Sequence, residues 1–243
     1  MARVALITGA AGDIGAATAL AFAETGWALI LLDRNLAVLP TGAEGFALAC
    51  DVANPVAVQA ALGRVEARFG RLDALINVAG INHRAPIADM QMQDWTRMMD
   101  VNVGSMFLMA KYGLPLLEKG DAPAIVNMSS ISGHVASPDY PAYVATKAAV
   151  ESLTVALSVE FGARGIRVNA VAPGWVEAGF TRAALTAAAD PAALQQAARR
   201  AHVLGRMAQP VEVARAIRWI ASGKAAFITG QTLFVDGGLM RVH

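Results

Sequence analysis

Short apolar runs recur along the chain, and none of them alternates cleanly between apolar and polar residues. They occupy residues 4–7, 28–32, 46–49, 74–76, 124–128, 167–172 and 233–235. Strands that are buried on both faces of a parallel sheet have this pattern. The pattern therefore predicts a sheet of parallel strands.

Longer stretches with helical spacing lie between these runs, at 14–25, 55–69, 91–117, 143–163 and 211–221. Asn54 is predicted to cap the second of these helices, with Pro55 at its first position and Gly70 at its end. The third is expected to break near Asn102. Regular alternation of strand and helix predicts a three-layer α/β fold, with helices on both faces of the sheet.

Composition narrows the classes of function. The 243 residues carry 20 Lys and Arg against 19 Asp and Glu, a net charge of +1, which argues against a nucleic-acid or membrane partner. Hydrophobic residues make up 56% of the chain, yet polar residues, Gly or Pro interrupt every apolar run before the roughly 18 to 20 residues of a membrane span. The lone Cys50 and the lack of an export signal predict a cytoplasmic location. No linker divides the chain, so residues 1–243 are expected to form one domain.

A glycine-rich segment, TGAAGDIG at 8–15, lies between the first strand and the first helix. Glycines there permit a tight turn and the close approach of a pyrophosphate to the helix N-terminus. Asp33 ends the second strand about 20 residues further on, where a carboxylate can accept hydrogen bonds from ribose hydroxyls. Each feature alone also fits an ordinary turn, but the two together indicate a dinucleotide site.

Tyr143 and Lys147 are one helical turn apart, so both side chains project from the same face. A phenol has a pKa near 10, and an ammonium about 5 Å away at an effective dielectric near 20 contributes roughly 3 kcal/mol, or about two pK units. We therefore expect Tyr143 to serve as an acid or base. A surface Tyr and Lys on an amphipathic helix is the alternative. Ser130, at the end of the preceding strand, favours the catalytic interpretation.

With these features in place, the chain resembles the short-chain dehydrogenase/reductase family over nearly its whole length. The shared motifs are TGAAGDIG, Asp51-Val52, NVAG at 77–80, Asn102, Ser130, YVATK at 143–147, Pro173-Gly174, LGRMAQPVEVA at 204–214 and ITGQTLFVDGG at 228–238. The resemblance implies a doubly wound Rossmann fold with strand order 3-2-1-4-5-6-7, and hydride transfer between a nicotinamide and an alcohol or carbonyl carbon. It also implies a catalytic tetrad of Asn102, Ser130, Tyr143 and Lys147.

The resemblance assigns roles to these residues. Tyr143 would exchange a proton with the substrate oxygen, Ser130 would hydrogen-bond that oxygen, and Lys147 would lower the Tyr143 pKa and bind the nicotinamide ribose. Asn102 would hold a water, while Asp51 and Val52 would face the adenine. The cofactor contacts expected in all are Gly9, Gly12, Asp13, Ile14, Gly15, Asp33, Asp51, Val52, Asn77, Ala79, Gly80, Tyr143, Lys147, Pro173, Gly174 and Val176.

Asp13 departs from the family pattern, which has glycine at this position. Because a carboxylate beside a pyrophosphate is repulsive, we expect Asp13 to point away from the phosphates and to cap the helix. Asp33, together with the absence of a basic residue at Ala11 and Gly12, favours NAD over NADP.

Other candidates are weaker. His83, His134, His202 and His243 show no metal-ligand spacing, and no metal is predicted. His83, Arg84, His134, Trp175 and Glu177 are candidates to border the substrate, and residues 176–205 resemble a helical lid.

The function expected is NAD-dependent oxidation or reduction of a secondary alcohol or ketone in a small or medium polar substrate, such as a polyol, a sugar alcohol or a hydroxy acid. Reduction of a 3-oxoacyl thioester is an alternative, which Asp33 disfavours because such reductases generally use NADPH. A non-catalytic NAD(H) sensor is a second alternative, which the complete tetrad disfavours. The helix after Tyr143 is apolar on more than one face, and we expect a homotetramer.

Overall fold

The computed structural model describes residues 2–38 and 42–241. Its centre is a sheet in which all neighbouring strands are parallel, in the order β3-β2-β1-β4-β5-β6-β7, so the predicted topology is confirmed. The strands are β1 Val4–Thr8, β2 Ala28–Asp33, β3 Phe46–Ala49, β4 Ala74–Asn77, β5 Ala124–Met128, β6 Arg167–Pro173 and β7 Thr232–Val235.

Helices connect the strands and cover both faces of the sheet. They are α1 Asp13–Ala23, α2 Pro55–Phe69, α3 Met92–Met99, α4 Ser105–Leu117, α5 Pro141–Gly162, α6 Gly179–Ala187, α7 Pro191–Arg200 and α8 Pro210–Ala221. The short loop helices Leu36–Val38, Ile131–Gly133, Gly223–Ala225 and Leu239–Arg241 are of the 3-10 type. The predicted helices lie within two residues of these bounds, except that the stretch 91–117 forms two helices.

Local chemistry explains several of these boundaries. The Asn54 side chain accepts hydrogen bonds from the Val56 and Ala57 amides at the start of α2, and Gly70 ends that helix with a left-handed φ of 68°. The predicted break near Asn102 is a π-helical turn at Asp100–Gly104, which joins α3 to α4. The wider turn re-aims Asn102 into the interior, where it is fully buried.

Two apolar clusters fill the space on either side of the sheet. On one side α2, α4 and α5 pack through residues such as Val58, Met109 and Phe161. On the other side α1 and α8 pack through residues such as Phe22 and Ile217. The strand ends between the two layers are thus held rigidly, and the loops that follow them form the site.

Helix α5 is long and apolar enough to cross a membrane by length and composition alone. In the fold it packs against β6 and buries Tyr143, Lys147 and Phe161. Its apolar residues therefore serve the interior of the fold, although Val155 and Val159 remain exposed.

Candidate active site

A cavity of 350 Å³ opens where β1, β2, β4, β5 and β6 end. Ligands of open parallel sheets bind at this edge. The predicted residues that line it are Gly9, Gly12, Asp13, Ile14, Gly15, Asp33, Ala79, Gly80, Ser130, Tyr143, Lys147, Pro173, Gly174 and Val176. The structure therefore brings together side chains that lie up to 167 positions apart in the chain.

The glycine-rich turn requires glycine at two positions for steric reasons. Gly9 has a φ of +66°, and a Cβ there would lie 2.8 Å from the Ala79 Cα. A Cβ on Gly15 would collide with the Gly9 carbonyl oxygen. At the N-terminus of α1, Gly12 is the N-cap and no side chain caps the helix. The first-turn amides are thus left for an anion in the cavity.

Asp33 is held in a defined position at the end of β2. One carboxylate oxygen accepts a hydrogen bond from the Ala11 amide at 3.0 Å, and the other accepts one from the Asn35 amide at 3.0 Å. The acidic group is therefore tied to the same turn that forms the N-terminus of α1. A sugar hydroxyl beside this turn would find an oriented acceptor.

Asp13 does not cap α1, so that prediction is wrong. Its carboxylate instead accepts hydrogen bonds from Arg182 Nη2, at 2.9 and 2.8 Å, and from the Gly179 amide at 2.7 Å. Burial raises the pKa of Asp13, but the Arg182 and Gly179 hydrogen bonds outweigh it and the net pKa is lowered. The Asp13 carboxylate thus binds Arg182 on α6, which is distant in sequence, and does not bind the amides at the start of its own helix.

Tyr143 and Lys147 project from one face of α5 towards Ser130. Lys147 Nζ donates a hydrogen bond to the Met128 carbonyl at 2.8 Å and lies 5.5 Å from the centre of the Tyr143 ring. The Ser130 hydroxyl lies close enough to the Tyr143 phenol to favour the ionised form of the phenol. Ser130 Oγ also accepts from the Ser132 amide at 3.1 Å, which orients it. The three polar groups therefore converge on one end of the cavity.

Burial controls the ionisation of this pair. It raises the pKa of Tyr143 well above its ordinary value, with the neighbouring Ser130 hydroxyl opposing the shift and Tyr140 adding to it. Burial also lowers the pKa of Lys147 to about 8. Burial of the phenol outweighs the effects that favour its ionised form, so the net Tyr143 pKa lies above its ordinary value and not nearer to neutral as the sequence predicted. The role of Lys147 in lowering that pKa stays a prediction. At neutral pH the phenol keeps its proton and can donate it.

Asn102 stabilises the site through hydrogen bonds to two neighbouring segments. Its Oδ1 accepts from the Ile81 amide at 2.8 Å, and its Nδ2 donates to the Ile81 carbonyl at 2.9 Å and to Thr146 Oγ1 at 3.1 Å. The side chain thus joins the loop after β4 to α5. Its expected role in holding a water stays a prediction.

Three predicted cofactor residues lie away from the cavity lining. Asp51 accepts from the Ala53 amide and pairs with Arg97 at 3.3 Å, and Val52 packs in the core. Asn77 is buried and donates to Asn127 Oδ1 at 2.9 Å. Their contacts with a cofactor stay predictions.

The substrate end of the cavity contains residues that no sequence motif indicated. Of the five bordering candidates, Arg84 and Trp175 line the cavity, whereas His83, His134 and Glu177 do not. His83 faces Asp94, His134 contacts Glu151, and Glu177 accepts from Gln209. The lining residues that the motifs missed include Asn82, Ser132, Val135, Ser137, Tyr140, Phe180 and Thr181. Loops supply most of them, and loops lack the periodicity that would reveal which side chains turn inward.

His202 has a structural role at the base of the expected lid. Its Nδ1 is 2.7 Å from the Ala198 carbonyl and its Nε2 is 3.2 Å from the Trp175 amide. A Cβ on Gly174 would lie 2.6 Å from this ring, so Gly174 is needed for the close packing. His202 therefore ties α7 to the loop after β6. His243 lies outside the described residues.

Comparison with known proteins agrees with this geometry. The profile of a family described as "Enoyl-(Acyl carrier protein) reductase" matches residues 9–240. The D-threitol dehydrogenase of Mycolicibacterium smegmatis is 39% identical over 97% of this chain and 92% of its own length. The chain belongs to the short-chain dehydrogenase/reductase family.

Other members of the family differ in the substrates that their names give. The cis-4-hydroxycyclohexanecarboxylate dehydrogenase of Sinomonas cyclohexanicum is 37% identical over 99% of this chain and 97% of its own, and a 3-oxoacyl-[acyl-carrier-protein] reductase of Thermotoga maritima is 36% identical over 98% of both. The ligand-free aldohexose dehydrogenase of Thermoplasma acidophilum superposes with a TM-score of 0.93 at 33% identity, over 99% of this chain and 94% of that one. The chain is therefore an oxidoreductase of this family, whose dehydrogenases use nicotinamide cofactors.

The cavity fits such a cofactor. The glycine-rich turn has no room for side chains at Gly9 and Gly15, and the α1 N-terminus is uncapped, as a diphosphate requires. Asp33 ends β2 and Lys147 binds the Met128 carbonyl at the end of β5, so both line the cavity with β1 and β4 between their two strands. The residues present thus match the anionic centre and the two sugars of a dinucleotide.

Proposed function

We propose that this protein is an NAD-dependent dehydrogenase that interconverts a secondary alcohol and a ketone in a small or medium polar substrate. The observation that carries the proposal is the convergence of Ser130, Tyr143 and Lys147 in the same cavity as the glycine-rich turn and Asp33. A proton donor and a dinucleotide site within one cavity suit hydride transfer coupled to proton transfer.

Some residues of the cavity would bind the cofactor, and others would take part in the reaction. The α1 N-terminus would hold the diphosphate, Asp33 the adenosine ribose, and Lys147 the nicotinamide ribose. The bound nicotinamide supplies or accepts the hydride. Tyr143 donates its phenolic proton to the carbonyl oxygen in reduction and takes it back in oxidation, while Ser130 hydrogen-bonds that oxygen as negative charge develops.

Lys147 acts on the proton step through its charge, and Asn102 acts by positioning α5. With a pKa of about 8 it carries its positive charge at neutral pH, and this charge stabilises any tyrosinate that forms beside it. Asn102 positions the helix that carries both residues through its bonds to Ile81 and Thr146. Deprotonation of Tyr143 in oxidation therefore depends on the charge of Lys147.

Asp33 supports NAD as the cofactor. Its carboxylate is hydrogen-bonded to Ala11 and Asn35 and is thus fixed on the wall of the cavity. A 2′-phosphate in that place would meet a like charge, at a cost of roughly 4 kcal/mol per unit charge at about 4 Å and an effective dielectric near 20, before solvent screening. Arg34 follows Asp33 and could offset part of this repulsion only by ordering a long, exposed side chain.

The substrate class is proposed as a polyol, a sugar alcohol or a hydroxy acid. The names of the threitol, hydroxycyclohexanecarboxylate and aldohexose dehydrogenases support it, and so do the hydroxyl groups of Ser132, Ser137 and Tyr140 along the cavity. A 3-oxoacyl thioester reductase is the second candidate, favoured by 36% identity to such reductases. Asp33 disfavours this candidate, because such reductases generally use NADPH and the Asp33 carboxylate would repel the 2′-phosphate of NADPH.

We propose further that residues 1–243 form one cofactor-binding and catalytic unit, that residues 176–205 act as its substrate lid, and that the protein is a cytoplasmic homotetramer. Phe180 and Thr181 on α6 line the cavity, which supports the lid. Phe107 on α4 and Val155 and Val159 on α5 are 49%, 52% and 79% exposed, which supports contact with other subunits through these helices.

The test is a screen of the purified protein with NAD and NADP against D-threitol, aldohexoses and hydroxy acids, and with NADH and NADPH against the matching ketones and acetoacetyl-CoA. We expect NAD-dependent turnover of a member of the first group. Tight binding of NADH without turnover of any compound would favour a sensor, and preferential use of NADPH with acetoacetyl-CoA would favour the thioester reductase.

A further inference from the structure

The substrate end of the cavity carries a single type of charge. Among the described residues that line the cavity, those other than Asp13, Asp33 and Lys147 are apolar or carry hydroxyl or amide groups, except for Arg84. The acidic residues that line the cavity, Asp13 and Asp33, lie in and beside the glycine-rich turn and are both engaged in hydrogen bonds. An anionic substrate would thus find an attractive charge at this end.

Arg84 is held over the site by an aromatic ring. Its guanidinium carbon lies 4.3 Å from the centre of the Tyr140 ring, and the Tyr140 ring contacts the Tyr143 ring edge-on at 5.7 Å. The stacking orients the planar fork of N–H donors without using them. Tyr140 therefore links the cationic group to the residue that exchanges the proton.

The donors of Arg84 have no acidic partner in the part of the chain that the structure describes: no carboxylate oxygen lies within 4.0 Å of them. The Ala85 amide donates a hydrogen bond to the Asp139 carbonyl at 3.0 Å, which joins the loop that carries Arg84 to the segment before α5. Arg84 is an exposed residue that lines the cavity, contacts an aromatic ring and has no carboxylate partner among the described residues, so its donors are accessible to a bidentate anion.

Tyr140 is itself positioned by a second contact. Asn82 Nδ2 donates to the Tyr140 hydroxyl at 3.0 Å, whereas the buried Asn82 Oδ1 has no hydrogen-bond partner among the described residues. Asn82 also lines the cavity. An acceptor in that position would suit a hydroxyl group of the substrate or an ordered water.

From this arrangement we propose that Arg84 binds a carboxylate on the substrate, and that the substrate is a hydroxy acid or oxo acid whose carboxylate lies away from the reacting carbon. The inference rests on the proposed dehydrogenase function and selects one of its substrate classes. Arg84 is then a specificity-determining residue that contacts the substrate away from the reacting carbon.

Three ketones of similar shape test the charge directly. The NADH-dependent reduction of 5-oxohexanoate, its primary amide 5-oxohexanamide and 2-hexanone is measured at neutral pH. We expect kcat/KM for the acid to exceed that for the amide by about 10- to 100-fold, the loss typical of one hydrogen bond to a charged group. The variant Arg84→Met should remove this preference, Arg84→Lys should restore part of it, and the exposed Arg215→Met on α8 is the matched control.

A binding measurement makes the result independent of turnover. Calorimetric titration of the NADH complex with hexanoate, which cannot react, should give a measurable dissociation constant for the wild type and for Arg215→Met. The affinity should fall by about 10-fold or more in Arg84→Met. Hexanamide should bind the wild type and Arg84→Met alike.

The outcomes distinguish a failure of the carboxylate assignment from a failure of the proposed dehydrogenase function. Equal kcat/KM for acid and amide, with 2-hexanone still reduced, would overturn the carboxylate assignment and leave the dehydrogenase function standing. NADH binding without reduction of any ketone or panel compound would overturn the dehydrogenase function instead. A third outcome is that Arg84→Met weakens turnover of acetoacetyl-CoA but not of 5-oxohexanoate. In that case the anion that Arg84 binds is a phosphate of coenzyme A, and the proposal is wrong.

Discussion

The ion pair between Asp13 and Arg182 ties the glycine-rich turn to α6 and can be tested by a double-mutant cycle. Arg182→Met leaves a carboxylate without its cation beside the place of the diphosphate, so cofactor binding should weaken. In the background of Asp13→Asn, which has no negative charge to neutralise, the same change should matter little. The pair thus predicts strong coupling between two positions that are 169 residues apart.

The geometry and exposure of the ion pair give the expected size of the coupling free energy. The two contacts of 2.8 and 2.9 Å from Nη2 are short, but the side chains are 61% and 33% exposed, so solvent screens the pair. Exposed pairs of this kind contribute about 0.2 to 1 kcal/mol, and good geometry with the Gly179 amide places this one near the upper end. A coupling of about 1 kcal/mol corresponds to roughly a fivefold change in the dissociation constant of NADH.

The assay is titration of the four proteins with NADH, followed by fluorescence, at low and high salt. We expect the dissociation constant to rise about fivefold for Arg182→Met alone and to change by less than about twofold in the Asp13→Asn background. The coupling should fade at about 1 M salt, where the screening length falls to about 3 Å. Additive effects of the two substitutions at low salt would refute the coupling.

Three further predictions concern Asp33, Lys147 and Val159. Asp33→Ser should raise kcat/KM for NADP and lower it for NAD, and equal use of both cofactors by the wild type would show that Asp33 is not the selector. The pKa of Lys147 is about 8 in the folded protein against 10.5 when unfolded, so its burial lowers stability below pH 8 and this loss fades as pH rises towards 10.5. Lys147→Met should therefore exceed the wild type in Tm most at pH 7, by an amount that shrinks by pH 10, and a constant difference in melting scans would contradict this. Val159→Asp should weaken a multimer seen by light scattering, whereas a wild type that is monomeric at micromolar concentration would rule out the subunit interface.

The sheet could be predicted from the sequence because its central strands β1, β4, β5 and β6 are buried on both faces, and every strand carries a short apolar run. The runs at 28–32 and 124–128, for example, correspond to β2 and β5 within one residue. The Asn54 cap and the Gly70 stop follow equally local rules, since both act through hydrogen bonds or backbone angles within one helical turn. Local chemistry and strong periodicity thus explain most of the fold.

The parts that escaped prediction depend on contacts between distant segments. Asp13 was expected to cap its own helix, but Arg182, which is 169 residues away in the chain, binds its carboxylate instead, and no local pattern encodes that choice. The stacking of Arg84 on Tyr140 is of the same kind. The prediction for the Tyr143 pKa failed for a different reason. The spacing on a helix gives the distance to Lys147, but it does not give the burial of the phenol, which dominates the shift in its pKa.

The role of Tyr143 is the central claim, and one comparison tests it most directly. The kcat of Tyr143→Phe and of the wild type is measured with the best compound of the substrate screen, and NADH binding is measured on the same two proteins. Loss of the phenolic hydroxyl should lower kcat by about 100- to 10,000-fold while the dissociation constant of NADH stays within about twofold. A variant that keeps more than about a tenth of the wild-type kcat would contradict the assignment of Tyr143 as the group that transfers the proton.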